Sequence, residues 1–159
     1  MLRIREYQSS DFDRLYELDQ SCFDAALAYS RAELRFYLRH PAMSTLIAER
    51  DDAPTSENTA AENAAIAGFL IAHRRRGGVG HIITIDVDAR SRRARVGTLL
   101  MEEAERRLRE QGCAGVMLET AVDNTGAVSF YMRRGYSIRH TIRGYYSNGL
   151  DALVMHKEL

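Results

Sequence analysis

At 159 residues with 45% hydrophobic side chains, the chain is long enough for one domain with a true core and too short for two. Its 22 Lys and Arg balance 22 Asp and Glu, so no whole-chain charge draws it to nucleic acid or an anionic membrane. Cys22 and Cys113 form neither a disulfide framework nor a metal-ligand spacing, no stretch is long enough to span a membrane, and the opening M-L-R-I-R-E-Y lacks the apolar core of a signal peptide. A reducing cytoplasm is therefore the expected location, with no metal expected.

Leu2 and Ile4 alternate with Arg3 and Arg5, which predicts a first strand with one buried face. Ser9, Ser10 and Asp11 are N-cap candidates for a helix whose apolar stripe is Phe12, Leu15, Leu18 and Cys22. After a loop from Phe23 to Tyr29, Ser30 and Glu33 make a capping-box pair for a second helix, which must stop before Pro41. Ser44 to Glu49 and Ile66 to His73 read as strands. The small, polar, acidic run over 51–64 between them is predicted to be a mobile hairpin connection within one domain, 1–159. Arg74 to Arg76 and the glycines at 77, 78 and 80 predict a turn, with the arginines in solvent.

The β-branched run Ile82 to Val87 leads into an arginine cluster, Gly97, and then a helical stripe of Val96, Leu99, Leu100, Ala104 and Leu108. Glu102, Glu103, Glu105, Arg106, Arg107 and Arg109 are assigned to the wet face, and Gly112 ends the helix. Val116 to Val122 reads as a strand, Thr125 to Arg134 as a helix closed by Gly135. Tyr136 to Ile142 and Leu150 to His156 read as strands around a turn at Asn148-Gly149. The order β, α, α, β, β, β, α, β, α, β, β is α/β (α+β) and permits parallel neighbours in mid-sheet.

The strand, basic turn and helix around Arg90, Arg92, Arg93 and Arg95 are a seat for clustered negative charge. First-turn N–H groups and the helix dipole face the turn, and guanidinium groups surround it. A pyrophosphate fits, although an arginine-rich loop is also an ordinary solvated surface.

The spacing Arg92, Arg95, Gly97 resembles the acetyl-CoA pyrophosphate loop of the GNAT N-acetyltransferase superfamily (Gln or Arg, two residues, Gly, one residue, Gly or Ala), with Arg95 where the family has glycine. Either the backbone at Arg95 adopts a conformation that tolerates a side chain, or cofactor binding is weakened. Leu118 to Tyr136 resembles the RimI-type amino-terminal (ribosomal-protein alanine) acetyltransferases, with Glu119, Asn124, Tyr131 and Gly135-Tyr136 in the family's order. Gly144 to Met155 resembles their substrate-side hairpin, and Cys22-Phe23 their first loop.

That resemblance implies a mixed sheet of six to seven strands with about four helices and a central splayed parallel pair. It implies acetyl-CoA as cosubstrate and a peptide or protein N-terminus as acceptor, attacking directly in a ternary complex. Within it, Glu119 is the candidate base for an α-ammonium of pKa near 8 and Tyr131 the candidate donor to the leaving thiolate of pKa about 8.5. The cofactor is expected along the main chain of Ile85, Asp86 and Val87, with oxyanion donors near Asp86 and Val87. It would continue over Arg92, Arg93, Ala94, Arg95, Val96, Gly97 and Thr98, with Asn124 and Tyr131 beside it. Phe23, Tyr29, Tyr145 and Tyr146 are the candidate acceptor wall.

Read from residue type alone, Glu119 is also a carboxylate at a wet strand end, Tyr131 a packing residue, Asn124 a helix cap, and Tyr145 and Tyr146 hairpin residues. His81, a lone histidine at a strand start, is assigned neither base nor ligand. Transfer to a small-molecule amine and a catalytically weak acyl-CoA-binding module remain alternatives.

Overall fold

A computed structural model describes residues 1–51 and 65–159; the connection predicted over 51–64 lies outside the described residues except for Asp51. The described strands are β1 (Leu2–Glu6), β2 (Met43–Arg50), β3 (Ile66–Arg75), β4 (Val79–Val87), β5 (Gly115–Ala121), β6 (Ser137–Ile142) and β7 (Ala152–Glu158). The helices are α1 (Phe12–Cys22), α2 (Arg31–Arg39), α3 (Val96–Glu110) and α4 (Thr125–Arg133). The strands form one sheet in the order β1-β2-β3-β4-β5-β7-β6. Its neighbours are antiparallel except β4 and β5. The predicted architecture is the observed one.

Both sheet faces are covered, which is why central strands read as near-continuous apolar runs. On one face Leu46, Leu70 and Ile82 pack with Leu100, Leu108 and Tyr131. On the other, Ile47, Phe69 and Ile71 pack with Leu15, Leu18 and Leu34. The α2 capping box forms as predicted: Glu33 N–H donates to Ser30 Oγ at 3.1 Å, and Ser30 N–H to Glu33 Oε2 at 2.7 Å. Its last helical residue is Arg39, ahead of Pro41.

Two readings of pattern are corrected. Gly80 belongs to β4 and not to the turn, because a Cβ there would lie 2.6 Å from Leu108 Cδ1; the glycine lets α3 press onto the strand. Glu105 is buried at 5% exposure, where it accepts from the Tyr136 hydroxyl at 3.0 Å and from Lys157 Nζ at 2.8 Å. Helical period places it beside Ala104 at the edge of the buried stripe, and only β7 and the end of α4 supply its partners.

The break that makes the site is in mid-sheet. β4 and β5 pair only at Val79, Gly80 and His81 against Gly115, Val116 and Met117. Across β3, Ile71 faces Thr84 while Ala72 faces Ile82, leaving Ile83 as an extra residue. Such a bulge bends and twists its strand. The C-terminal half of β4 departs from β5 after it.

Candidate active site

The gap between the two parallel strands holds a cavity of about 400 Å³, within the roughly 300–1,000 Å³ usual for small-molecule sites. Ile82 to Ile85 form one wall and Leu118 to Ala121 the other. Asn124, Ala127 and Tyr131 line it from the α3/α4 face, and Cys22, Phe23, Leu27, Tyr29 and Tyr146 from the α1/α2 face. The cavity is therefore lined from both faces of the sheet.

At the α3 end the chain reverses handedness twice. Arg93 has φ 68° and Arg95 φ 63°, ψ 14°, both in the left-handed region. The side chains of Arg92, Arg93 and Arg95 are exposed. The first helical bond runs from Leu99 N–H to Arg95 O at 3.0 Å, so the N–H groups of Val96, Gly97 and Thr98 have no acceptor within the helix. Left-handed residues before a helix make an anion-binding nest of main-chain donors. Arg95 thus reaches, at a cost of about 1–2 kcal/mol, the conformation that glycine adopts freely. The loop behind is anchored by Asp88, whose carboxylate accepts from Arg90 N–H at 2.9 Å and from Arg14 Nη2 at 2.5 Å. The Arg90 guanidinium, with Arg14, holds that carboxyl well below the usual range.

Along β4, Asp88 N–H donates to Ala67 O at 2.9 Å. Strand alternation then turns the Asp86 N–H towards β3 as well and leaves those of Ile85 and Val87 facing the gap. Of the main chain expected to supply oxyanion donors near Asp86 and Val87, the N–H groups of Ile85 and Val87 face the gap and that of Asp86 does not. The Asp86 side chain is fully buried on the α1 side. The Val96 side chain is buried in the core.

Glu119 and Tyr131 both line the cavity, Glu119 from β5 and Tyr131 from α4. Burial above all pushes the Tyr131 hydroxyl well above its ordinary value, so it holds its proton throughout the physiological range. Asn124 lines the cavity too, and its Oδ1 accepts from Ala127 N–H at 3.2 Å; capping and lining coexist. Phe23, Tyr29 and Tyr146 reach the cavity, whereas Tyr145 stands outside it, 47% exposed, with its ring 4.9 Å from that of Tyr146. Burial, with Tyr145 and Glu119 beside it, pushes the Tyr146 hydroxyl up to about 12.

His81, set aside from sequence, is the residue missed: its Nε2 lies 2.6 Å from Glu119 Oε2. Two neighbouring parallel strands in register place it there, at positions 38 apart. The only sequence signal was its place on β4, one strand across from Glu119.

A family model described as the acetyltransferase (GNAT) family matches residues 12–136, which takes in the nest, the gap and both candidate catalytic side chains. The chain belongs to that family. This GNAT acetyltransferase is 29% identical to an uncharacterized N-acetyltransferase of Methanocaldococcus jannaschii over 156 residues, 98% of this chain and 90% of that protein. It is 35% identical to human N-alpha-acetyltransferase 30 over 89 residues, 56% of this chain and 25% of the human one, so it spans about a quarter of that relative. The crystal structure of the ribosomal-protein-S18-alanine N-acetyltransferase from Escherichia coli has the same fold, with a TM-score of 0.81 at 20% identity over 99% of this chain and 94% of that one.

Proposed function

We propose that this acetyltransferase uses acetyl-CoA to acetylate the α-amino group of a peptide or protein N-terminus, by direct attack in a ternary complex in the cytoplasm. The observation that carries the reading is that Glu119 and Tyr131 face one cavity lined from both faces of the sheet. The nest at Arg93 and Arg95 precedes α3, whose Val96 and Leu100 pack on the same face as Tyr131, and a wall of Phe23, Tyr29 and Tyr146 lines the cavity from the other.

Bound acetyl-CoA supplies an acyl group activated as a thioester. The main-chain donors of Val96, Gly97 and Thr98, with Arg92 and Arg93, bind the diphosphate. The N–H groups of Ile85 and Val87 align the arm and face the carbonyl oxygen as negative charge develops on it. Glu119 takes the proton from the incoming ammonium, directly or through water, while His81 fixes the carboxylate by its 2.6 Å contact. Tyr131 keeps a proton beside the leaving sulfur. No cysteine is needed as acyl carrier: the Cys22 thiol is pushed up by burial and donates to Val87 O at 3.4 Å.

The test is incubation with isotopically labelled acetyl-CoA and a mixture of N-terminal peptides, read by mass. Label on α-amines is the expected result. Label only on small amines, such as polyamines or amino sugars, refutes the acceptor assignment, and none on any amine refutes the transfer.

A further inference from the structure

Asp19 on α1 and Asp86 on β4 are both fully buried, with their carboxyl groups facing each other across the helix–sheet interface. Asp86 Oδ1 accepts from the Thr84 hydroxyl at 2.7 Å. Asp19 Oδ2 accepts from Tyr29 N–H at 2.6 Å, with Gln20 Nε2 at 3.5 Å. The remaining oxygen of each, Asp19 Oδ1 and Asp86 Oδ2, has no partner. The other groups that act on the pair are Cys22 from α1, Tyr29 from the following loop, Glu33 from α2 and Tyr131 from α4; among the described residues no lysine, arginine or histidine pairs with either acid. Arg92 acts on the Cys22 thiol and makes no ion pair with either acid among the described residues.

Two buried carboxylates without a cation cannot both stay ionised. One proton held between them removes one charge and gives the pair a donor. Burial, followed by the Asp19 charge, indeed holds the Asp86 proton far above the ordinary carboxylate range. What the pair touches gives it a use: Asp19 grips the main chain at Tyr29, and the segment it tethers carries Phe23, Leu27 and Tyr29 of the acceptor wall.

Building on the N-terminal acceptor proposed for the same cleft, we propose that Asp19 and Asp86 are positioning residues that hold the acceptor wall through one shared proton, so that loss of the proton weakens acceptor binding. Ionisation of both acids drives α1 from β4 by like-charge repulsion and frees Tyr29 N–H. Neither acid lines the cavity, so they act through the loop and not on the reacting atoms.

The test uses an Nα-acetylated hexapeptide beginning with alanine, which has no α-amine to titrate, bound to the coenzyme A-saturated protein. Its dissociation constant is measured by calorimetry from about pH 6 to about pH 9, the span in which buried carboxyl groups are known to titrate. For the unaltered protein it should rise by up to about tenfold per pH unit once the pair ionises. Asp86→Asn, whose amide is a donor that does not titrate, should stay near the low-pH value throughout.

Amide exchange at Tyr29, compared between the two proteins at each pH, should accelerate only in the unaltered one. Stability follows the same sign. The Asp86 pKa is higher folded than unfolded, so stability should fall as pH rises towards the folded value, and Asp86→Asn should remove that fall. Asp19→Asn repeats the comparison should Asp86→Asn not fold. A pH-independent dissociation constant in the unaltered protein, or the same pH dependence in both variants, overturns the proposal. If the peptide binds at no pH, the acceptor assignment fails, while Tyr29 exchange still decides the acid pair.

Discussion

The two ends of the cleft are made of different material. The α3 end is main chain and surface charge: unpaired N–H groups, two left-handed arginines and exposed guanidinium groups, all within a few consecutive residues. The end proposed for the acceptor is side chains from distant segments, namely Phe23 and Tyr29 after α1, Glu119 on β5 and Tyr146 after β6. Its charge is also opposite: Asp24, Glu119 and Asp123 line the cavity and, among the described residues, no lysine or arginine does. On the proposed reading, a local seat should tolerate substitution of any one side chain, since the backbone would do much of the binding. A wall assembled over long range should not.

Glu119→Gln should therefore produce the largest loss. Removing a general base typically costs about 10²–10⁴-fold, and we expect turnover to fall at least a hundredfold with coenzyme A affinity changed less than about twofold. Loss of both in parallel would mean that Glu119 serves the cofactor end. Tyr131→Phe should cost less, about ten- to a hundredfold in turnover, because a thiolate with pKa about 8.5 leaves with modest help. Steady-state rates at saturating acetyl-CoA decide both; an unchanged rate in either variant removes that residue's role.

The same contrast explains what could be read from the chain alone. Strand and helix periods carry local information, and each predicted element of the described residues is present with its ends shifted by a few positions. The Arg92, Arg95, Gly97 spacing, the Ser30–Glu33 capping box and the Glu119–Tyr131 order are likewise properties of short segments. The contact between His81 and Glu119, and that between Asp19 and Asp86, exist only once β4 is aligned against β5 and α1 against β4. A one-residue bulge at Ile83 decides which N–H groups of β4 face the gap, and no pattern in I-I-T-I-D-V announces it. Glu105 failed for the same reason, since its partners Tyr136 and Lys157 lie 31 and 52 positions away.

At the α3 end, the effect of side chains should be smaller and salt-dependent. Replacing Arg92 and Arg93 together by alanine should weaken coenzyme A binding by about tenfold at low ionic strength, with the difference shrinking as salt is added. Turnover at saturation should stay within about twofold. Calorimetry over a salt series tests this, and a salt-independent loss would mean that the two arginines shape the loop instead of supplying charge.

Arg95 gives the smallest effect and the sharpest separation of backbone from side chain. At φ 63° and ψ 14° an L-residue pays for its handedness, whereas glycine does not, although glycine gives up more freedom on folding. The two terms oppose, and steric relief of about 1–2 kcal/mol against an entropic loss of about 0.5–1 kcal/mol leaves Arg95→Gly more stable by roughly 0.5–1 kcal/mol. For a chain of this size the melting temperature should rise by about 2 °C. Arg95→Ala keeps the strained conformation and removes the same charge, so it should gain no stability. Both variants should bind coenzyme A within about threefold of each other, because the N–H groups of Val96, Gly97 and Thr98 are retained. Greater stability in Arg95→Ala than in Arg95→Gly would show that handedness at this residue is not what the loop costs. A large affinity gap between them would show that backbone freedom at residue 95 shapes the nest.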